Sequence, residues 1–154
     1  MDLFEEFIQL ISKFEDERIE YALCGGLAMA VYAFPRATLD IDIMIERENL
    51  EKAQKAAKES GFSVDVGLLK FKEGAIEIYR LTKISDESGD PLVLDLLLVT
   101  PATLEIWRSR QRLPWERGDL SVVSPQGLIE LKSMRQSGQD QDDIEHLRRI
   151  FNED

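Results

Sequence analysis

The sequence predicts an α+β fold, a mixed β-sheet flanked by helices with a short C-terminal helical tail. Three observations carry that expectation. Leu3, Phe4, Phe7, Ile8, Ile11 and Phe14 recur at helical spacing, which marks an amphipathic helix at the start. Short apolar runs at Tyr21–Cys24, Leu39–Glu46 and Leu92–Val99 have the length and composition of strands. Ser124-Pro125 then offers a capping side chain followed by proline at the first helical position, a good helix start.

Taken in order, the helix from Leu3 is followed by a strand over Tyr21–Cys24 and a helix over Leu27–Phe34, whose alanines permit close packing and which Pro35 ends. Leu39–Glu46 is the second strand. Glu48–Ser60 carries Leu50, Ala53, Ala56 and Ala57 on one side, with Gly61 as its stop. Phe62–Val66, Leu68–Lys72 and Ala75–Leu81 alternate as three strands separated by Gly67 and Gly74. Asp86–Pro91 is a turn or exposed loop, and Leu92–Val99 is a strongly apolar strand interrupted by Asp95. Thr103–Ser109 is a short helix, and Leu113–Val123 a small hairpin around Arg117-Gly118-Asp119. The helix from Ser124 runs to about Gln136, Gly138 breaks it, and Asp140–Phe151 forms a last helix with Ile144, Leu147, Ile150 and Phe151 facing inward. A chain of 154 residues fits one domain. Its expected core spans about 18–100 and its helical tail about 124–152.

Bulk properties narrow the chemistry. A formal net charge of −11 argues against a protein that holds extended nucleic acid by neutralising phosphates. A nucleotide site is still open to it, because a bound metal reverses the field locally. Cys24 is the single cysteine and His146 the single histidine, so internal disulfides, cysteine-built zinc sites and His-dependent triads are disfavoured. Cys24 itself reads as a buried, inert thiol. Oxygen ligands are in good supply, and hard cations such as Mg²⁺ or Mn²⁺ prefer them. No apolar run reaches the ~20 residues that span a bilayer, and the acidic MDLFEEF start does not resemble a targeting peptide. The expected location is cytoplasmic.

The segment Tyr21–Glu46 concentrates the chemical signal. Gly25 and Gly26 join the first strand to the next helix, where glycine permits a sharp turn and close approach of a ligand, and the following helix offers N–H groups to a phosphate. The alternative is a plain tight turn. On the second strand, Asp40, Asp42 and Met44 share one face, while Leu39, Ile41, Ile43 and Ile45 share the other. Two carboxylates on one face of an apolar strand cost free energy unless a cation compensates them. They read as a metal site or as a solvated face. Asp95 sits in a run apolar on both faces, hence a central strand, where a carboxylate must be paired, protonated or metal-bound. If its strand neighbours that of Asp40 and Asp42, three carboxylates converge and can hold one or two divalent ions.

The ordered set of Gly-Gly, Arg-x-Thr-x-Asp-x-Asp and a lone Asp on a later apolar strand resembles the nucleotidyltransferase superfamily typified by DNA polymerase β, above all its small stand-alone microbial members. The resemblance covers roughly residues 20–100. It implies a nucleotidyltransferase-like fold and transfer of an NMP group from an NTP to a hydroxyl of a small molecule or protein, releasing pyrophosphate. It further implies Gly25 and Gly26 beside the nucleotide phosphates, Asp40 and Asp42 as paired metal ligands, and Asp95 as the third carboxylate, with two Mg²⁺ or Mn²⁺ ions accompanying the NTP. Arg36 and Thr38 match the polar link before the Asp pair, and Arg36 can neutralise phosphate or hold Asp40 or a carbonyl. Many members have Gly-Ser where this chain has Gly25-Gly26, and no large acceptor-binding domain is evident. Members of this size also include toxin–antitoxin or defence-system subunits that act through a partner protein and can be inactive, which is the alternative reading.

In the tail, Lys132 and Arg135 lie three apart on one helix and can reach phosphate. A solvated basic edge pairing with Asp140, Asp142 or Asp143 is the favoured reading of the two. Trp107, Trp115 and His146 read as surface or core residues.

Overall fold

A computed structural model describes residues 2–32, 40–115, 118–135 and 148. Seven strands form a single sheet in the order β3-β4-β5-β2-β1-β7-β6. Helix α1 (Leu3–Asp16) opens the chain. Asp2 caps it by accepting the backbone N–H groups of Phe4 at 2.9 Å and Glu5 at 3.2 Å, a motif that stabilises a helix by about 1 kcal/mol. Strand β1 (Ala22–Cys24) runs straight into helix α2 (Gly25–Val31). The helix therefore begins at the glycines rather than at Leu27, because Gly25 takes φ +65° and turns the chain in one residue.

Strand β2 (Asp40–Ile45) pairs antiparallel with β1 and parallel with β5 (Pro91–Leu98). Its Ile41, Ile43 and Ile45 are fully buried while Asp40 and Asp42 are only partly so, the alternation expected of the period of two. A 3-10 turn (Arg47–Asn49) leads into α3 (Leu50–Glu59), whose Ala53, Ala56 and Ala57 are buried, and Gly61 stops it at φ +99°.

The three strands expected between Phe62 and Leu81 are two. Strand β3 (Val64–Phe71) runs through Gly67, and β4 (Ile76–Ile84) follows a tight connection at Lys72–Gly74. Gly67, at φ +107°, marks a register shift against β4 instead of a break. One extra residue is accommodated there as a bulge, a common use of glycine in an edge strand. Helix α4 (Leu104–Arg108), the hairpin of β6 (Gln111–Trp115) and β7 (Gly118–Val122), and α5 (Pro125–Arg135) complete the described chain. Strand β7 pairs parallel with β1, so the sheet extends beyond the 18–100 segment. The last helix expected over Asp140–Phe151 lies outside the described residues.

Helices α1 and α3 cover one face of the sheet. Lys83 of β4 donates to Glu6 of α1 at 2.7 Å and to the Ser60 carbonyl at the end of α3 at 3.1 Å. The other face of the sheet carries Asp40 and Asp42, and α5 stands over part of it.

Candidate active site

One row of cross-strand partners builds the site. Cys24 of β1 pairs with Asp42 of β2, Asp42 with Asp95 of β5, and Asp95 with Arg80 of β4. Directly paired residues share a face of a sheet, with neighbouring strands about 4.8 Å apart. Asp42 and Asp95 thus stand side by side, and both line a cavity with Cys24, Gly25 and Lys132. Ile76, Ile78 and Leu97 from the sheet and Leu128 and Leu131 from α5 supply its apolar wall.

Gly25 is required by this arrangement. A Cβ at that position would stand 2.8 Å from both Cβ and Cγ of Asp42, closer than carbon atoms tolerate, and φ +65° is strained for any other residue. The missing side chain leaves the space that the Asp42 carboxylate uses.

Asp95 is held by an arginine. Arg80 Nε donates to its Oδ1 at 2.8 Å and Nη2 to its Oδ2 at 3.0 Å. This two-pronged, charge-assisted geometry is the strong form of such a pair. The Asp95 side chain is 8% exposed and that of Arg80 37%, so the carboxylate is buried and the guanidinium reaches solvent. The hydrogen bonds to Asp95, together with the charges of Asp95, Asp40 and Asp42, hold the Arg80 guanidinium above its usual pKa against the opposing effect of burial. All three carboxylates therefore act on the same cation.

Lys132 overturns its favoured sequence reading. It is 5% exposed and faces the cavity across from the carboxylates, whereas an exposed basic edge was the expectation. Leu128, Leu131 and Lys132 fall three and four apart on α5, the spacing that gathers side chains on one face. A buried ammonium is costly without negative charge nearby, and Lys132 shares its cavity with Asp42 and Asp95.

As a donor set, Asp40, Asp42 and Asp95 offer only carboxylate oxygens, the kind that hard divalent ions take. Among the described residues, however, no three acidic, histidine or cysteine side chains are gathered closely enough to hold a metal ion as they stand. Both Asp95 oxygens are engaged by Arg80.

Comparison with solved structures identifies the fold. A lincosamide antibiotic adenylyltransferase, LnuA, with lincomycin bound, superposes with a TM-score of 0.61 at 16% identity, over 95% of this chain and 96% of that one. The chain has the nucleotidyltransferase fold. The same fold is seen in ANT(2")-Ia in complex with adenylyl-2"-tobramycin, with a TM-score of 0.61 at 11% identity over 94% of this chain and 86% of that one. An antigenic nucleotidyltransferase-like protein from Paracoccidioides brasiliensis matches with a TM-score of 0.53 at 19% identity, over 94% and 75% of the two chains. No family model and no curated protein matches the sequence.

Within the nucleotidyltransferase fold, Gly25, Asp42, Asp95 and Lys132 meet in one cavity. Gly26 is buried in the first turn of α2, and Asp40 stands two residues before Asp42 on the same face of β2. Arg36 and Thr38 lie outside the described residues. Arg80 is the site residue that the sequence reading passed over. Its signal was present, since alternation along Ile76-Glu77-Ile78-Tyr79-Arg80 puts the arginine on the face of Ile76 and Ile78, but nothing local ties that face to Asp95.

Among the described residues, no helix is long and apolar enough to cross a membrane.

Proposed function

We propose that the protein is a metal-dependent nucleotidyltransferase that moves an NMP group from an NTP to a hydroxyl of a small molecule and releases pyrophosphate. The observation that carries this reading is the pairing of Asp42 with Asp95 on adjacent parallel strands, in one cavity with buried Lys132 and with Gly25, where an added Cβ would crowd the Asp42 side chain. The names of the fold's relatives support it: one is an adenylyltransferase with its antibiotic bound, another is in complex with an adenylylated aminoglycoside.

In this reading Asp40 and Asp42 would hold Mg²⁺ or Mn²⁺, with Asp95 available as a further ligand. The ion, when bound, supplies positive charge to the triphosphate and acidifies the acceptor hydroxyl. Lys132 contributes a fixed cation for phosphate oxygens from the opposite wall. Gly25 and Gly26 keep the backbone of the β1–α2 corner open to close approach, and Arg36 and Thr38 remain candidates for the phosphate side. The acceptor oxygen bonds to the α-phosphorus as the bond from that phosphorus to the bridging oxygen breaks. Pyrophosphate leaves with the bonding pair, and the hydroxyl proton passes to Asp95. Positioning and charge stabilisation supply most of the rate in such a transfer. The acidic surface favours a small acceptor over extended nucleic acid.

The test is incubation with each NTP, Mg²⁺ and a panel of hydroxyl-bearing small molecules that includes aminoglycosides and lincosamides. An acceptor heavier by one NMP, with equimolar pyrophosphate, is the expected product. Absence of any adduct together with absence of Mg²⁺-dependent NTP binding contradicts the proposal.

A further inference from the structure

The two edges of the sheet are finished differently. Strand β6 closes one side with five residues, of which Leu113 and Trp115 pack against the core, and Pro114 has no N–H to offer a neighbouring strand. Strand β3 closes the other side with eight residues and no proline, and among the described residues no strand pairs with its outer edge. Seven large apolar side chains are exposed among the described residues, and four of them, Val64, Val66, Leu68 and Phe71, lie on β3. A long, apolar, unpaired edge is a template for another strand, and folded proteins ordinarily blunt it.

The charges on β3 select the strand that fits it. Because of the bulge, β3 meets β4 at seven positions, with Leu68 at the centre, Asp65 two places to one side and Lys70 two places to the other. Asp65, Leu68 and Lys70 lie opposite Leu81, Tyr79 and Glu77, hence on one face of the sheet. An antiparallel copy of the same strand, centred on Leu68, sets Asp65 against the partner's Lys70, Lys70 against the partner's Asp65, and Val64 against the partner's Phe71. Centring the pair on Gly67 or Leu69 instead sets one charge against Leu68 and the other beyond the end of the partner's strand. Within one chain Asp65 accepts from Tyr79 at 2.6 Å and meets Lys58 at 3.1 Å, which leaves lone pairs on a group that can accept about four hydrogen bonds. The Lys70 side chain is 62% exposed, 3.7 Å from a Glu77 that also serves Arg47. We propose that β3 is a dimer interface, at which a second copy of this chain adds its own β3 antiparallel about a two-fold axis at Leu68 and joins the two sheets. Main-chain hydrogen bonds hold such a junction, and the two Asp65–Lys70 pairs fix its register. The inference is independent of the chemistry in the cavity.

The experiment combines sedimentation of the full chain over a range of concentrations with cysteine cross-linking. Wild type should approach twice the 17.6 kDa of one chain as concentration rises. Asp65→Lys and Lys70→Asp should each weaken self-association by about tenfold or more, because the two-fold axis turns either change into two like-charge pairs. Mixed in equal amounts, the two variants should regain the dimer, since each supplies the charge that the other lacks. A merely structural effect of either substitution is not relieved by mixing. Leu68→Cys should form a disulfide-linked dimer under mild oxidation, since the Cα separation of about 4.5–5.5 Å across an antiparallel pair is within reach of a disulfide. Val64→Cys, at a similarly exposed position, should not, because the axis separates its two copies by roughly 20 Å. Cys24 is buried, and wild type treated in the same way is the blank.

Should Asp65→Lys lose its fold along with its bonds to Tyr79 and Lys58, far-UV circular dichroism reports it and the two cysteine variants decide the question. A wild-type mass that stays at that of one chain at every concentration overturns the inference and leaves the edge to some other strand. A dimer in which Leu68→Cys does not cross-link, in which Val64→Cys cross-links as readily, or in which the two folded charge variants fail to associate on mixing overturns it as well. None of these results depends on Mn²⁺ or NTP binding, so the proposed function stands or falls separately.

Discussion

Glu77 and Asp95 are both buried acids on inner strands of the same sheet, and they are partnered differently. Glu77 of β4 faces the side covered by α1 and α3, where it meets Arg47 at the entry to α3 and has Lys70 of β3 at 3.7 Å. One carboxylate is shared by two cations, and further positive charge has nothing to gain there. Asp95 is held by Arg80, whose guanidinium also responds to Asp40 and Asp42, and it lines a cavity with Asp42 and Lys132. An acid with surplus cations around it holds the fold together. An acid that shares a cavity wall with a second carboxylate is placed where a metal ion or a metal-bound nucleotide would be drawn.

Substitutions at the two sites should therefore behave oppositely. The largest effect is expected from Asp42→Asn, which should lower nucleotidyl transfer by about 10²–10³-fold, the scale of removing one charge-stabilising group from a transition state. Its far-UV circular dichroism should match wild type, and a collapse of the spectrum would make Asp42 a structural residue. Gly25→Ala comes next. The strained backbone and the displaced Asp42 carboxylate should cost about 2 kcal/mol in urea unfolding and should impair Mn²⁺ binding as well, so an intact site in this variant would deny the close approach of Gly25 and Asp42. Glu77→Gln should cost about 1–2 kcal/mol, because Arg47 is half-exposed and can hydrate once unpaired. It should leave Mn²⁺ affinity unchanged, and a metal effect at Glu77 would erase the distinction drawn between the two acids.

The smallest effect at neutral pH belongs to Tyr21, a third buried acid with no place in the cavity. Burial, aided by Glu15, pushes its hydroxyl up to about 12 from 10.0, although the backbone N–H of Ser121 works the other way. The neutral form is thus favoured in the folded state. Its contribution is complete below pH 10.0 and declines as pH rises toward about 12, by about 2 kcal/mol in all. Tyr21→Phe should remove that alkaline loss from the pH dependence of unfolding without altering Mn²⁺ binding at neutral pH. An unchanged alkaline limb would assign the loss to other groups.

What the sequence disclosed about these regions follows from the range of each signal. Alternation along Asp40–Ile45 placed the two carboxylates opposite the buried isoleucines, and the apolar run around Asp95 marked a central strand, because both signals are local and have a period of two. The adjacency of those strands rested on resemblance, and the register Asp42↔Asp95 supplies it. Arg80 was not legible, since its role depends on a cross-strand partner fifteen residues away. Lys132 was misread for a related reason. The helix α5 was recognised from Ser124-Pro125, and Ser124 does accept the Gly127 N–H at 3.0 Å. Yet which face of that helix turns inward depends on the sheet it covers. Gly67 signalled a strand end and proved to be a bulge, because glycine serves both uses and only the pairing partner distinguishes them.

The most direct test of the account is a thermal-shift comparison of wild type and Asp42→Asn with ATP, GTP, CTP and UTP, each with and without Mg²⁺. A ligand that binds only the folded state raises the melting temperature. A rise with at least one NTP that requires Mg²⁺ and is lost in Asp42→Asn is expected. An NTP-induced rise of equal size in the variant, or no rise with any NTP and Mg²⁺, would contradict it.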